Sequence, residues 1–383
     1  MANVFITPNR VIIGNEALAL SGPNFVSMGK KALIVSDDMM VKIGNTDKVI
    51  EVLNKFGIEY EIYSEINSEP CDYMIDEGAE IFNKSGCDFI IAVGGGSPID
   101  SMKAIAASVK YRKSINEFMG EVVEGKLVPM AAVPTTAGTG SEATQFTIIN
   151  NTKENIKMLL KGPAFMVDLA IIDPVFTLTV PPNVTAATGL DALCHAVEAY
   201  TSVKAFPMTD TMALAAVKKI FDNLYLCYKD GTDRIARENM ALAALEAGMA
   251  FNNSSVTIIH GMSRPIGALY HVPHGLSNAM LLDKCLRFAV SGCVDRFRNL
   301  AECIGVYKQG MNETEGAEAF IAAVSELCRK LNIQTLEEYG IDRETFFESI
   351  EKMADDAIAS GSPANTRRTP SKEEIIEIYK SLY

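Results

Sequence analysis

The first 180 residues alternate dense apolar runs with amphipathic stretches, and this alternation limits the possible folds more than any other feature. Short apolar runs bounded by turn residues are typical of strands buried on both faces of a parallel sheet. They are KALIVSD (31–37), CDFIIAVGGG (87–96), VPMAAVPTT (128–136) and FMVDLAIIDP (165–174). The stretches DKVIEVLNKFG (47–57) and EPCDYMIDEGAEIFNKSG (69–86) have apolar residues at helical spacing and end at glycine. The pattern predicts βαβ units and a doubly wound α/β architecture.

The sequence pattern changes after Pro181 and Pro182. Almost all of the remaining sequence has helical periodicity and is rich in Ala, Leu, Met and Glu. A length of 383 residues also exceeds what one ordinary core holds. We therefore predict an N-terminal Rossmann-like parallel-sheet domain over 1–180 and a C-terminal all-helical domain over 181–383. A ligand is expected in a cleft between two such domains.

Charge and composition exclude several classes of protein. The formal net charge of -13 argues against nucleic-acid and anionic-membrane partners, because a phosphate backbone needs a basic face. The sequence contains no apolar run near the roughly 18 residues of a membrane span, and its N-terminus lacks a signal-like apolar core. The eight cysteines show no framework spacing, so reduced thiols and a cytoplasmic location are expected.

The glycine-rich turn GGGSPID joins a predicted strand to a predicted helix, with Ser97 as the expected N-cap and Asp100 at the third helical position. Glycines let backbone N–H groups approach a pyrophosphate, and a helix N-terminus favours negative charge. The turn lacks the G-x-G-x-x-G fingerprint, because Ile99 occupies the place of the last glycine, and a plain capped turn is the alternative. The predicted dinucleotide cradle consists of Gly94, Gly95, Gly96, Ser97 and Asp100.

Two more polar loops follow predicted strands. The carboxylate of Asp37 could accept hydrogen bonds from the ribose hydroxyls of adenosine and repel a 2′-phosphate, or it could simply cap a helix. PTTAGTGSE (134–142) offers hydroxyls and glycines suited to a ribose or a phosphate. Three such loops at the carboxyl edge of one parallel sheet together favour a dinucleotide site.

Histidine is scarce, and its placement suggests a metal site. The chain has four histidines, three of them within HGMSRPIGALYHVPHG (260–275). On a helix, the four-residue spacing of Asp191 and His195 places both side chains on one face. His260 and His274 are separated by prolines and glycine that exclude one continuous helix between them, so the fold must bring them together.

One aspartate and three histidines would offer one oxygen and three nitrogens to a divalent cation, with room for a substrate oxygen. The single negative charge of this set leaves the site net positive, and the lack of cysteine suits Fe²⁺ at least as well as Zn²⁺. The alternative for each histidine is an ordinary core residue. Together with a nicotinamide, such a cation implies hydride transfer between an alcohol carbon and NAD.

The motifs GGGSPID, PTTAGTGSE, GLDALCHAVEAY and HGM…PHG occur in this order over nearly the whole chain, which resembles the iron-containing (group III) alcohol dehydrogenases. The resemblance implies a dehydroquinate-synthase-like fold, homodimers or larger assemblies, and a preference for NAD over NADP through Asp37. Its implied metal ligands are Asp191, His195, His260 and His274. Its implied nicotinamide site comprises Gly95, Gly96, Ser97, Thr135, Thr136, Thr139, Lys157 and Leu178.

The chain departs from the family pattern at three positions. Arg264 stands where many relatives have a histidine thought to help proton release, so that relay cannot be carried over unchanged. His271 is a candidate replacement, with a surface histidine as the alternative. Glu69 stands where many relatives have the Asn of an Asn-Pro step, which puts one cofactor contact in doubt.

Arg264 also raises a substrate hypothesis. A guanidinium beside the metal would hold a carboxylate, sulfonate or phosphonate by bidentate hydrogen bonds and select small ω-hydroxy acids or their aldehydes. The alternative is that Arg264 pairs with a nearby acid. Arg367 and Arg368 are a second possible basic contribution, with a solvated loop as the alternative.

We therefore predict a metal-dependent NAD(H) oxidoreductase that interconverts a small primary alcohol and its aldehyde. A dehydroquinate-synthase-like lyase that keeps NAD bound is the rival reading. The lyase would need a basic phosphate pocket in the helical domain, where basic residues are scarce and scattered. A non-enzymatic metal- or nucleotide-binding protein is a third reading, and no feature of the sequence favours it.

Overall fold

The computed structural model describes residues 2–383, which form two compact units. One unit is Ile6–Thr179, and the other is Val180–Tyr383 with the N-terminal residues up to Phe5. The strands of the first unit are β1 (Arg10–Ile13), β2 (Lys31–Val35), β3 (Glu59–Tyr63), β4 (Phe89–Gly94), β5 (Met130–Pro134), β6 (Phe146–Asn151), β7 (Ile156–Lys161) and β8 (Leu169–Ile172).

Six of these strands form one parallel sheet in the order β1-β8-β5-β4-β2-β3. Every residue of β4, β5 and β8 is buried, which explains why their sequences are continuous apolar runs. The predicted parallel-sheet domain is therefore confirmed, and all four predicted strands are present. The remaining strands, β6 and β7, form an antiparallel pair.

Helices cover both faces of the sheet. They are α1 (Ala17–Leu20), α2 (Gly22–Met28), α3 (Asp38–Lys42), α4 (Asn45–Lys55), α5 (Asp72–Ser85) and α6 (Gly96–Tyr111). Phe25 of α2 and Leu53 of α4 pack with Phe89 and Ile91 of β4 in one fully buried cluster. Because side chains alternate along a strand, Ile90 and the other intervening residues face α6, which contacts β4 and β5. Two predicted helices are confirmed as α4 and α5.

The second unit is helical from end to end, as predicted, and contains no strand among its described residues. Its helices are α7 (Pro182–Thr201), α8 (Pro207–Lys229), α9 (Arg234–Ser254), α10 (Ile258–Tyr270), α11 (His274–Ala289), α12 (Val294–Cys303), α13 (Glu313–Lys330), α14 (Leu336–Tyr339), α15 (Arg343–Ala359) and α16 (Lys372–Lys380). None of the helices within residues 2–383 has the length and apolar character needed to cross a membrane.

Helix α7 is the central element of this unit. It begins with Pro182, whose missing N–H costs nothing in the first turn, and every residue from 189 to 201 is buried. It contacts α8, α9, α10 and α11. Any polar side chain on the inner turns of α7 is therefore removed from water and must find partners on these neighbours.

Candidate metal and cofactor sites

The buried part of α7 carries the first two predicted metal ligands. Asp191 and His195 lie one turn apart and are 2% and 5% exposed. His260 lies in the first turn of α10 and is 3% exposed. One ligand atom from each of these three residues falls within 4.8 Å of the other two, so they form a compact cluster of buried donor groups.

His274, the fourth predicted ligand, is the first residue of α11 and joins the same cluster. Asp191 Oδ1 lies 3.5 Å from His260 Nε2 and 3.7 Å from His274 Nε2. The side chain of His274 is 44% exposed, so it is the member of the cluster that solvent reaches. A Cβ atom on Gly275 would come within 2.5 Å of the Ala187 carbonyl oxygen, so this glycine permits the close approach of α11 to α7.

The break between the two histidine-bearing helices lies later than the sequence suggested. Helix α10 continues through Pro265 to Tyr270 and ends with His271 in the left-handed conformation. The chain then turns at Pro273, and α11 begins at His274. The expectation that no single helix joins His260 to His274 is met, although Pro265 itself does not interrupt α10.

The cluster has the electrostatics of a cation site. Burial alone would raise the pKa of Asp191, but the three histidines around it hold that pKa well below its usual range. Burial lowers the pKa of His195 to about 3, so this imidazole is neutral and keeps a lone pair at neutral pH. Burial alone would lower the pKa of His260, but the carboxylates of Glu198 and Asp191 raise it to about 9.

The donor set fits a divalent metal ion. His195 stacks on Phe251 with ring centroids 4.1 Å apart, and its buried Nδ1 has no hydrogen-bond partner among the described residues. An ionised carboxylate and a neutral imidazole in a water-poor cluster are ligands that Fe²⁺ and Zn²⁺ accept. Asp191, His195, His260 and His274 could together hold such an ion.

Two polar residues around the cluster were missed by the sequence analysis. Glu198, on α7, is 1% exposed and accepts a short hydrogen bond from His260 Nδ1. Asn278, on α11, is fully buried, and its Nδ2 donates to Asp191 Oδ1 at 2.7 Å. Helical spacing could have indicated both, because Glu198 is seven residues after Asp191 and Asn278 is four residues after His274.

The structure separates the two predicted catalytic residues. Arg264 lies one turn after His260 on α10, and its Nη1 donates to Ser362 Oγ at 3.1 Å. Burial lowers the pKa of Arg264, and the Glu198 carboxylate opposes that shift. His271 is exposed at the far end of α10, about 16 Å along the helix axis from His260, and its carbonyl accepts from the Tyr339 hydroxyl.

Of the two basic residues near the C-terminus, Arg368 is already paired. Its Nη2 donates to Glu374 Oε1 at 2.6 Å, and its Nη1 donates to Ser291 Oγ at 3.1 Å. Arg367 is exposed. The alternative of a solvated loop is therefore wrong for Arg368, because its guanidinium links α16 to the segment after α11.

The glycine-rich turn after β4 and the threonine loop after β5 lie side by side. Thr135 N–H donates to the Gly94 carbonyl at 2.9 Å. A Cβ atom on Gly95 would lie 3.4 Å from Thr136 Oγ1, and one on Gly96 would lie 3.2 Å from Thr139 Cγ2. Side chains at these glycines would therefore fill the space between the two loops, at the N-terminus of a 16-residue helix. Such a cradle suits a phosphate group.

Two details of this turn differ from the prediction. Helix α6 begins at Gly96 with Gly95 as its N-cap, so the expectation that Ser97 caps the helix is wrong. The reason is that Gly95 is extended, which lets the helical turn start two residues earlier. The carboxylate of Asp100 accepts the Ile148 N–H at 2.9 Å and so holds β6 against α6.

Two other predicted cofactor residues, Asp37 and Lys157, also have protein partners. Asp37 caps α3, accepting the Met40 N–H at 2.9 Å through Oδ1, which is one of the two roles expected for it. Lys157 Nζ on β7 donates to Glu69 Oε1 at 2.6 Å. Leu178 is partly buried after β8. The departure at Glu69 thus engages the lysine that the family resemblance assigns to the cofactor.

Two family models match the chain, "Iron-containing alcohol dehydrogenase" over residues 8–174 and "Fe-containing alcohol dehydrogenase family, C-terminal" over residues 185–383. A 1,3-propanediol dehydrogenase of Citrobacter freundii is 36% identical over 99% of this chain and 98% of its own length. The crystal structure of a 1,3-propanediol oxidoreductase superimposes with a TM-score of 0.97 at 34% identity over the full length of both chains. The NAD⁺ complex of a sulfoacetaldehyde reductase from Bifidobacterium kashiwanohense superimposes with a TM-score of 0.89 at 26% identity, covering 100% of this chain and 99% of that one.

Proposed function

Because the chain belongs to the iron-containing alcohol dehydrogenase family, we propose that it interconverts a small primary alcohol and its aldehyde with NAD(H) and a bound divalent cation. The observation that carries this proposal is the convergence of one buried aspartate and three histidines from three helices. The four residues are Asp191, His195, His260 and His274. The proposed ion is Fe²⁺, with Zn²⁺ as the alternative.

The chain's own residues prepare this site for a cation. Asp191 supplies the ionised oxygen, and His195 stays neutral because it is buried. A bound divalent cation supplies Lewis acidity, which lowers the pKa of an alcohol or polarises an aldehyde. The exposed edge at His274 is where a small substrate has access to the cluster.

We propose that the Ile6–Thr179 unit binds the nicotinamide dinucleotide and that the helical unit binds the metal. The glycine and threonine loops after β4 and β5 would hold the pyrophosphate through backbone N–H groups. The charge of Asp37 would disfavour a 2′-phosphate and so favour NAD. A homodimeric or larger assembly and a cytoplasmic location stay predictions.

We further propose that Arg264 binds an anionic tail of the substrate. Arg264 lies one turn after His260 on α10, and Ser362 accepts from only one of its guanidinium donors in the structure. The structural neighbour named a sulfoacetaldehyde reductase acts on an aldehyde with such a tail. Relatives named for propanediol and lactaldehyde act on neutral compounds. The binding of an anionic tail is therefore proposed separately from the dehydrogenase activity.

The test is anaerobic aldehyde reduction by the Fe²⁺-loaded protein, with neutral and anionic aldehydes of equal length and with NADH and NADPH compared. Wild type should oxidise NADH with an aldehyde and prefer the anionic one by about 10-fold or more, since a hydrogen bond to a charged group contributes roughly 1.5–3 kcal/mol. Arg264→Ala should lose the preference, while Arg368→Ala, which removes an arginine paired with Glu374, should keep it.

The outcomes separate the two parts of the proposal. Full retention of the preference in Arg264→Ala would overturn the anionic tail and leave the dehydrogenase intact. Absence of any NADH consumption with every aldehyde and of NADH formation with every alcohol would overturn the dehydrogenase itself. The relatives described above are dehydrogenases and reductases, so the lyase alternative is not favoured.

A further inference from the structure

Glu198 connects the two helices that carry three of the four ligand residues. It lies on α7, one turn after His195, and is 1% exposed. Its Oε1 accepts the Thr257 hydroxyl at 2.8 Å and the Ile259 N–H at 2.7 Å. Its Oε2 receives the short hydrogen bond from His260 Nδ1. Both oxygens of this buried carboxylate are therefore used, and one of them contacts a ligand side chain directly.

We propose that Glu198 is a positioning residue that keeps the hydrogen of the His260 ring on Nδ1 and leaves Nε2 for the metal. A carboxylate that accepts at both oxygens requires a hydrogen on the ring nitrogen that faces it. A histidine that binds a cation through Nε2 carries its one ring hydrogen on Nδ1, and the partner of Nδ1 fixes that choice. His260 Nε2 is the nitrogen directed toward Asp191, at 3.5 Å from Oδ1.

Glu198 also sets where α10 begins. The N-cap residue Thr257 makes no side-chain cap to the helix, and the N–H of Ile259 would lack an acceptor in a buried first turn. Glu198 Oε1 provides that acceptor and places a carboxylate at the positive end of the helix. The backbone of His260 is thereby fixed relative to α7, the helix that bears Asp191 and His195.

The substitution Glu198→Gln separates these tasks because an amide has one acceptor and one donor end. If the amide oxygen faces Ile259, the NH₂ group faces His260 Nδ1 and forces the ring hydrogen onto Nε2. If the oxygen faces His260, the NH₂ group meets the Ile259 N–H, and the start of α10 loses its acceptor. No orientation satisfies both contacts, so even this isosteric change should impair metal binding.

The inference rests on the proposed function, because it takes His260 to be a metal ligand. The experiment is Zn²⁺ competition against a chelator for wild type, Glu198→Gln and Glu246→Gln. Glu246→Gln is the matched control, since it neutralises a mostly buried carboxylate of α9 that is paired with Lys219 at 2.9 Å and not with a candidate ligand residue. Removing the partner of a metal-bound histidine typically costs 10–100-fold in affinity, so about that loss is expected for Glu198→Gln and none for Glu246→Gln.

A second measurement does not depend on how the variant folds. With only four histidines in the chain, ¹⁵N spectra of histidine-labelled, Zn²⁺-loaded wild type can assign the ring hydrogen of each. We expect His260 to carry a slowly exchanging, strongly hydrogen-bonded proton on Nδ1. A His260 Nδ1 without a hydrogen, or unchanged Zn²⁺ affinity in folded Glu198→Gln, overturns the inference. Neither result contradicts the proposed dehydrogenase activity. A wild type that binds no divalent metal overturns both.

Discussion

Asn278 Nδ2 donates a 2.7 Å hydrogen bond to Asp191 Oδ1 and lies within 3.3 Å of the Nε2 atoms of His260 and His274. A side-chain amide of α11 thus contacts three of the four candidate ligand residues at once. Asn278 is fully buried, so water does not replace it as a donor to the carboxylate. The amide therefore holds Asp191 in place from the side of α11.

The substitution Asn278→Asp tests this contact with almost no change in volume. A second carboxylate would face Asp191 in the metal-free protein, and two buried like charges repel each other. We expect a loss of about 3 kcal/mol or more in the free energy of unfolding without metal, and a smaller loss with Zn²⁺ bound. The measurement is the denaturation midpoint with and without Zn²⁺. Equal losses in the two conditions would contradict the placement of Asn278 against the candidate metal ligands.

His271 and His274 form a natural matched pair, because both are exposed histidines on either side of the same turn. His274→Ala removes one of four proposed ligands and should lower Zn²⁺ affinity by at least about 10-fold, with loss of activity. His271→Ala should keep wild-type metal affinity, because the His271 ring makes no hydrogen bond within residues 2–383. Metal content by elemental analysis distinguishes the two.

The same His271→Ala protein decides whether the predicted relay exists. If His271 carries a proton in the reaction, turnover should fall and its pH profile should change while the metal stays bound. The exposed position of His271 beyond the end of α10 favours wild-type turnover instead. An altered pH profile with full metal content would restore the relay.

The sequence was most informative where burial was complete. The strands β4, β5 and β8 are buried at every residue, so their apolar runs stand out from the helices on either side. The edge strands β1 and β3 were not predicted, because half-exposed sequences such as EYEIY carry charge and lack a continuous apolar run. The β6–β7 pair was also missed, since its burial alternates and polar residues interrupt its apolar ones.

The site shows the same division between local and long-range information. The spacing of Asp191 and His195 on one helix predicted their proximity, and the scarcity of histidine pointed to His260 and His274. The seven-residue spacing from Asp191 places Glu198 on the ligand-bearing face of α7, but its partners lie about 60 residues away at the start of α10. Which groups Glu198 binds depends on how α7 and α10 pack, and the spacing alone does not encode that.

Asp37 has two roles that one substitution can separate. Its Oδ1 caps α3, and its charge is proposed to select NAD over NADP. Asp37→Ser keeps a side-chain oxygen suited to an N-cap but removes the charge, so stability should stay within about 0.5 kcal/mol of wild type. The ratio of kcat/KM for NADPH to that for NADH should rise by about 10-fold. Asp37→Ala, which also removes the cap, should show the same shift in cofactor preference with an additional loss of about 1 kcal/mol.

Glu142 predicts how stability depends on pH. Burial raises the pKa of this carboxyl to about 7 from its ordinary value of 4.5. The nearby ammonium of Lys103 opposes the shift only partly. This ammonium is itself buried and donates to the carbonyls of Ser141, Thr144 and Phe146. The folded state therefore binds more protons than the unfolded state between these two values. The stability that the protonated Glu142 contributes is fully present below its pKa in the unfolded state, and it is lost as the pH rises through 7.

The expected fall in unfolding free energy between pH 5 and pH 8 is on the order of 3 kcal/mol from this group alone. Glu142→Gln cannot ionise, so its unfolding free energy should decline less over the same range, and the two proteins should differ most at pH 8. Urea midpoints at several pH values measure this slope. Burial lowers the pKa of Lys103 to about 8. The effect of Lys103 on the unfolding free energy therefore lies mainly above pH 8, where stability should rise again with pH. Parallel pH profiles for wild type and Glu142→Gln would mean that Glu142 is ionised throughout and that its charge is compensated in the folded protein by Lys103.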